Sequence, residues 1–441
     1  MEQRRSKTRR ATLLVRLSGA AVVFALIGAA CGGGTDAGQE DAAAPATSTA
    51  PEPGQNAAAG AMASEGVDSG AVKLNQTLTA GLVEHEYLAG IAVAMGVQFG
   101  LESDAFTAAA GALDANTVDL GKSIGSIYGA DAESAFLDSW RKHIGFFVDY
   151  TAGQTTGDEA KVAQARKNLD GYRRDFGELV EGATEGALPK EAVAGALEPH
   201  VKSTLAAIDA VAGVERANGF VLLKTAASHM PHIADALSGA ISEQFPDEFD
   251  GDVSSGAADL QQALTARLVE NEYLAGIAVM QALTNDGNVE SPQFEAAAAA
   301  LDQNSVDLSK AVGSIYGPEA EKAFLDSWRK HIGFFVDYTL GRATGDRAMV
   351  AKARRDLDGY RQDFGELLEG ATEGILPAEA VADALVPHVE STMKAIDATV
   401  AFTSGRPKGD PFMLLKTAAA HMPHIATSIS GAVVEQFPEK F

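Results

Sequence analysis

The chain has 441 residues, a net charge of −25 and a single cysteine. A surface this acidic repels nucleic acid and attracts cations, so no nucleic-acid partner is expected. One cysteine rules out an internal disulfide and a thiolate metal cluster, and the length leaves room for two separate cores.

Residues 1–30 read as an export signal. Arg4, Arg5, Lys7, Arg9, Arg10 and Arg16 form a positive start, and Leu17 to Ala30 form an apolar stretch. That stretch is shorter than the roughly 20 residues a membrane-spanning helix needs. Gly28-Ala29-Ala30 before Cys31 resembles a bacterial lipobox, with Gly28 where the pattern prefers leucine. The resemblance implies lipidation at Cys31, which would anchor the exported protein to the outer face of the cytoplasmic membrane. Residues 31–72 are Gly, Ala, Pro, Ser, Thr and acidic residues without apolar periodicity. Such a stretch buries too little to offset its chain entropy, so it reads as a tether.

Two copies of one unit follow, at 73–246 and 259–441, joined by an acidic Gly/Ser-containing linker at 247–258. Ala135 to Thr151 recurs without change at Ala323 to Thr339. The unit is the size of a whole domain, so each copy is expected to fold separately. Alanine and leucine dominate, and apolar residues recur at three and four, which is a helical period. Breaks at Gly100, Gly129, Gly153–Gly157, Gly182–Leu188 and Gly213–Gly219 predict helices at 73–98, 103–127, 131–152, 158–184, 189–212 and 220–244. The fold class is therefore all-α: two tandem antiparallel bundles of about six helices each.

Every histidine lies in these copies. On the third predicted helix, His143 interrupts the stripe Phe136, Trp140, Phe147, Tyr150. On the fifth, His200 sits among Val193, Leu197, Thr204 and Ile208. On the sixth, His229 and His232 are three apart, a spacing that lets both rings converge beside the helix. On the first, His85 continues the stripe Leu78, Leu82, Ala89, with Glu84 on its edge. The second copy repeats the pattern with His331, His388, His421, His424 and Glu270, but Asn271 stands where His85 does. Pro199, Pro231, Pro387 and Pro423 adjoin these histidines and are expected to bend their helices. Buried imidazoles without partners cost about 1–3 kcal/mol each, and one metal ion satisfies several together. The expected ligands are thus Glu84, His85, His143, His200, His229 and His232, and in the second copy Glu270, His331, His388, His421 and His424. Imidazole donors suit copper(II), zinc and iron. Met230 and Met422 are expected to be turned about 100° away from the site. Glu86 and Asp149 are expected on a solvated face, and Tyr150 and Tyr338 as core or supporting donors.

GLVEHEYLAG, SWRKHIGFFVDYT, the Pro-His pair and the closing HMPHIA with SEQFP or VEQFP resemble a family of secreted bacterial helical proteins often labelled copper amine oxidase-like. The resemblance implies an extracytoplasmic helical protein associated with copper. It does not extend to oxidase chemistry, because the Asn-Tyr-Asp/Glu motif that yields a quinone cofactor does not occur. The leading expectation is a lipid-anchored metal-binding protein for storage, buffering or delivery. The alternatives are an oxidase or hemerythrin-like metalloenzyme, and a structural lipoprotein whose histidines are only packed.

Overall fold

The computed structural model of the protein describes residues 66–213, 218–284 and 291–441. The export signal, Cys31 and most of the tether lie outside the described residues. Within them every regular element is a helix, as the composition and period require. The first repeat contains α1 (Gly70–Phe99), α2 (Asp104–Tyr128), α3 (Ala130–Thr156), α4 (Glu159–Ala183), α5 (Lys190–Ala212), α6 (Gly219–Ala227) and α7 (Met230–Gln244). The second contains α8 (Gly256–Thr284), α9 (Pro292–Tyr316), α10 (Pro318–Thr344), α11 (Arg347–Ala371), α12 (Ala378–Thr403), α13 (Pro411–Ala419) and α14 (Met422–Gln436).

Local chemistry sets the ends. Ser69 Oγ accepts from the Val72 N–H and starts α1 at Gly70, three residues before the expected start. Ser103 and Asp158 cap α2 and α4 in the same way. Gly129, at φ 87°, ends α2 and leads straight into α3, a backbone conformation that suits glycine. The expected sixth helix is two. Proline at the first turn of α7 lacks an N–H, and its ring would clash with the carbonyl four residues back, so the chain restarts after Ser228–His229. Pro199, by contrast, stays inside the continuous α5.

Helix α1 is the axis of the first repeat and touches α2, α3, α5, α6 and α7. Leu82 to Leu88 are all buried, so this stretch of the helix has no wet face. Its counterpart α8 buries Leu268 to Leu274 in the same way.

The two axial helices also pack on each other. Gln76 bonds Thr265 while Gln262 bonds Thr79; Tyr87 bonds Glu270 while Tyr273 bonds Glu84. A near-constant offset between partners means that α1 and α8 run parallel, and the reciprocity means that a pseudo-twofold axis relates the repeats. The Tyr87 and Tyr273 rings stack across it, 5.9 Å between centroids. Lys224 reaches Glu270 and Asp307, and Lys416 reaches Glu84 and Asp119. A single apolar cluster runs through both repeats. The expectation of two separate cores is therefore corrected: the copies share their main core, and each keeps a smaller apolar cluster of its own. The 247–258 segment is not a loose linker either. The Asp250 carboxylate and carbonyl accept from the N–H groups of Gly70 and Ala71, and Ala257 packs with Val67 and Val434.

Candidate metal centre

Successive helical residues diverge by about 100°, so Glu84, His85 and Glu86 of α1 face three different neighbours. Glu84 faces the other repeat. It accepts from Asn116 Nδ2 and Tyr273 Oη at 2.9 Å each and pairs with Lys416 at 3.0 Å. Glu270 does the same with Asn304, Tyr87 and Lys224. Neither carboxylate reaches the histidines, which corrects the expectation that they are ligands. Their oxygens are taken by the interface between repeats.

His85 faces α3. Its Nε2 lies 3.3 Å from His143 Nε2, and Trp140 Nε1 donates to its Nδ1 at 3.3 Å. An indole N–H can only donate, so in this pairing His85 Nδ1 accepts and Nε2 carries the hydrogen; ligation through Nε2 would move that hydrogen to Nδ1, where Asn116 is the available acceptor, and would break the Trp140 contact. His143 Nδ1 approaches the Trp140 carbonyl without reaching hydrogen-bond geometry. Glu86 faces α5. Its Oε2 is 3.2 Å from His200 Nδ1, and its Oε1 accepts from Thr204 Oγ1 at 3.0 Å. Glu86 is 1% exposed, not on a solvated face. Burial raises its carboxyl to about 8, so at neutral pH a protonated acid stands against His200 Nδ1. Asp149, as expected, is exposed and pairs with Lys161.

His85, His143, His200 and Met230 line a common cavity of about 30 Å³. That is room for one or two waters, or one ion. Met230 belongs to it because Met230, Ile233 and Leu237 form the inward stripe of α7. His229 caps α7 and is half-buried, while His232 is exposed on the outer face; His421 and His424 repeat this. The expected four-histidine convergence is corrected on this point. Tyr150 is remote as well, donating to Asp209 at 2.7 Å, and Tyr338 donates to Asp397.

Among the described residues no three His, Cys, Asp or Glu side chains form a ready-made ligand group. The two facing imidazoles nevertheless suit a shared ion. Two nitrogens each about 2.0–2.1 Å from one ion, near a tetrahedral angle, stand about 3.3 Å apart. Burial also keeps the rings unprotonated, as ligation requires. It holds His85 at about 3 and His200 at about 4, and His143 well below the ordinary histidine value.

The second repeat differs. Asn271 Nδ2 donates to Asn304 Oδ1 at 2.7 Å, and no imidazole faces His331 across the position of His85. Trp328 Nε1 is left without a hydrogen-bond partner, unlike Trp140 Nε1. His388 Nδ1 and Glu272 are 3.7 Å apart, looser than the first repeat's pair.

These burials predict a pH dependence. His85, His143, His200, His331 and His388 are neutral when folded, with values lowered chiefly by desolvation, but take up protons near 6.5 once unfolded. Their contribution to stability is therefore present above pH 6.5 and is lost as pH falls toward 3–4. Glu86 and Glu272, raised by burial to about 8 and about 7, act oppositely as pH rises from 4.5. Five histidines outweigh two glutamates below 6.5, so the denaturant midpoint should fall steadily from pH 6.5 to 4. A flat profile over that range would contradict this burial.

No family model, curated protein or solved structure matches the chain.

Proposed function

We propose that the protein is an extracytoplasmic, lipid-anchored copper-binding protein whose ion site lies in the first repeat. The observation that carries this reading is the 3.3 Å separation of His85 Nε2 and His143 Nε2 on the wall of an ion-sized cavity shared with His200 and Met230. His85 and His143 with the Met230 thioether, and His200 on the same wall, are a partly soft donor set. Zinc in structural sites takes four ligands, whereas copper(I) accepts fewer and favours thioether sulfur. Iron and zinc are therefore weaker candidates. His85 and His143 are 3% and 2% exposed, and an ion enclosed so deeply exchanges slowly. That suits storage or buffering better than turnover.

Titration of the full chain with copper(I) against a competing chelator such as bicinchoninate tests the reading. One tightly held copper per chain is expected, with zinc weaker; no copper retained, or zinc held equally, would refute it. The anchor is tested separately. Wild-type protein should incorporate a lipid precursor and Cys31→Ser should not, and equal labelling of the two would remove the anchor from the account.

A further inference from the structure

The second repeat has lost the imidazole pair and gained space. One cavity of about 100 Å³ is bordered by Trp328, His331, Phe335, Tyr360, Phe364 and His388. Another of about 90 Å³ lies against Asn271, Glu272 and Thr392 and shares His331, Phe335 and His388 with the first. The equivalent cavity of the first repeat is about 30 Å³. Identical sequence surrounds Trp140 and Trp328, yet their indole N–H groups differ. Trp140 donates to His85, while Trp328, 9% exposed, has no acceptor. Tyr360 Oη and His331 Nδ1 also lack hydrogen bonds, but so do their counterparts Tyr172 Oη and His143 Nδ1. The unpaired indole is thus the specific consequence of asparagine at 271.

We propose that the second repeat binds a neutral, single-ring aromatic molecule carrying a carbonyl oxygen, which accepts from Trp328 Nε1. Size, polarity and shape each point to this class. An engineered apolar cavity of about 150 Å³ accepts benzene, and the two adjoining spaces together exceed that. An anion would lose its hydration without a cationic partner on the wall, and a pure hydrocarbon would leave the indole N–H unpaired. Indole offers a donor only, so the ligand must supply an acceptor. The walls are rings in near-parallel pairs, Phe324 with Trp328 at 15° and Tyr360 with Phe364 at 22°, which favours a flat guest.

The test is titration of the metal-free full chain with acetophenone and with ethylbenzene, which has a similar shape but no acceptor. Wild type should bind one acetophenone, about tenfold tighter than ethylbenzene, as one added hydrogen bond implies. Trp328→Phe should reduce acetophenone to the level of ethylbenzene. Asn271→His, which supplies Trp328 with the partner Trp140 has, should also abolish the preference, and it serves if the first variant fails to fold. Absence of saturable binding to wild type, equal affinity for both ligands, or a preference that survives a folded variant would each overturn the proposal.

Discussion

His85→Asn in the full chain is expected to abolish tight copper(I) binding, and Asn271→His is expected to raise the capacity from one copper to two. The exchange follows from the one position at which the sites differ in a polar residue. His143 and His331 occupy equivalent places on α3 and α10, and Met230 and Met422 border equivalent cavities. Only the first repeat sets a second imidazole against the first. Removing one of two nitrogen donors should weaken binding by at least 100-fold, on the order of 3 kcal/mol for one lost charge-assisted contact. His232→Ala and His424→Ala should leave copper binding unchanged, because both side chains are exposed and outside the cavity. Dialysis against copper(I) followed by elemental analysis of the four variants reads all of this. Copper retained by His85→Asn, or lost from either alanine variant, would place the ion elsewhere.

Cutting the chain between the repeats is expected to unfold both halves. Isolated residues 66–254 would leave Glu84 without Tyr273 and Lys416, and isolated residues 255–441 would leave Glu270 without Tyr87 and Lys224. Each half forgoes the charge-assisted contacts of its carboxylate, about 1.5–3 kcal/mol apiece, while the exposed carboxylate regains water. Each half also exposes a face of its axial helix, including a tyrosine that is fully buried in the whole. Together these losses approach the roughly 5–15 kcal/mol that holds a domain folded. Each fragment alone should melt without a cooperative transition, and the two mixed at equal concentration should regain one. Independent cooperative melting of either half would show that the shared core is dispensable.

Much of the fold was legible in the sequence, because a three-and-four period in an alanine- and leucine-rich chain leaves few alternatives to helix. The glycine breaks placed most boundaries within a few residues. The break in the last helix was missed because Pro231 was read as a kink within a continuing helix, and the missing N–H instead restarted the chain. That error carried into the site. Treating 220–244 as one helix with His229 on the inward stripe turns Met230 away, whereas the restarted α7 buries Met230 and Ile233, half-buries Leu237 and turns His232 out.

The inward direction of His85, His143 and His200 was legible because each sits in an apolar stripe. The direction of the carboxylates was not. A single stripe on α1 places Glu84 beside His85 and Glu86 on a wet face, but α1 has no wet face between Leu82 and Leu88. The signal was present in Leu82 to Leu88, where hydrophobic residues flank Glu-His-Glu on every side, as in a helix surrounded by others. In such a helix each polar side chain must find its own partner, and three successive ones find three. What surrounds α1 on the Glu84 side is the other repeat, and no local pattern in either copy announces that contact.

The measurement that tests the central claim most directly is anomalous diffraction at the copper edge from crystals of the copper(I)-loaded full chain. The account predicts one strong peak per chain, between the Nε2 atoms of His85 and His143 and about 2.0–2.1 Å from each. Equal peaks in both repeats, a peak at the surface near His232 or His424, or no ordered peak would contradict it.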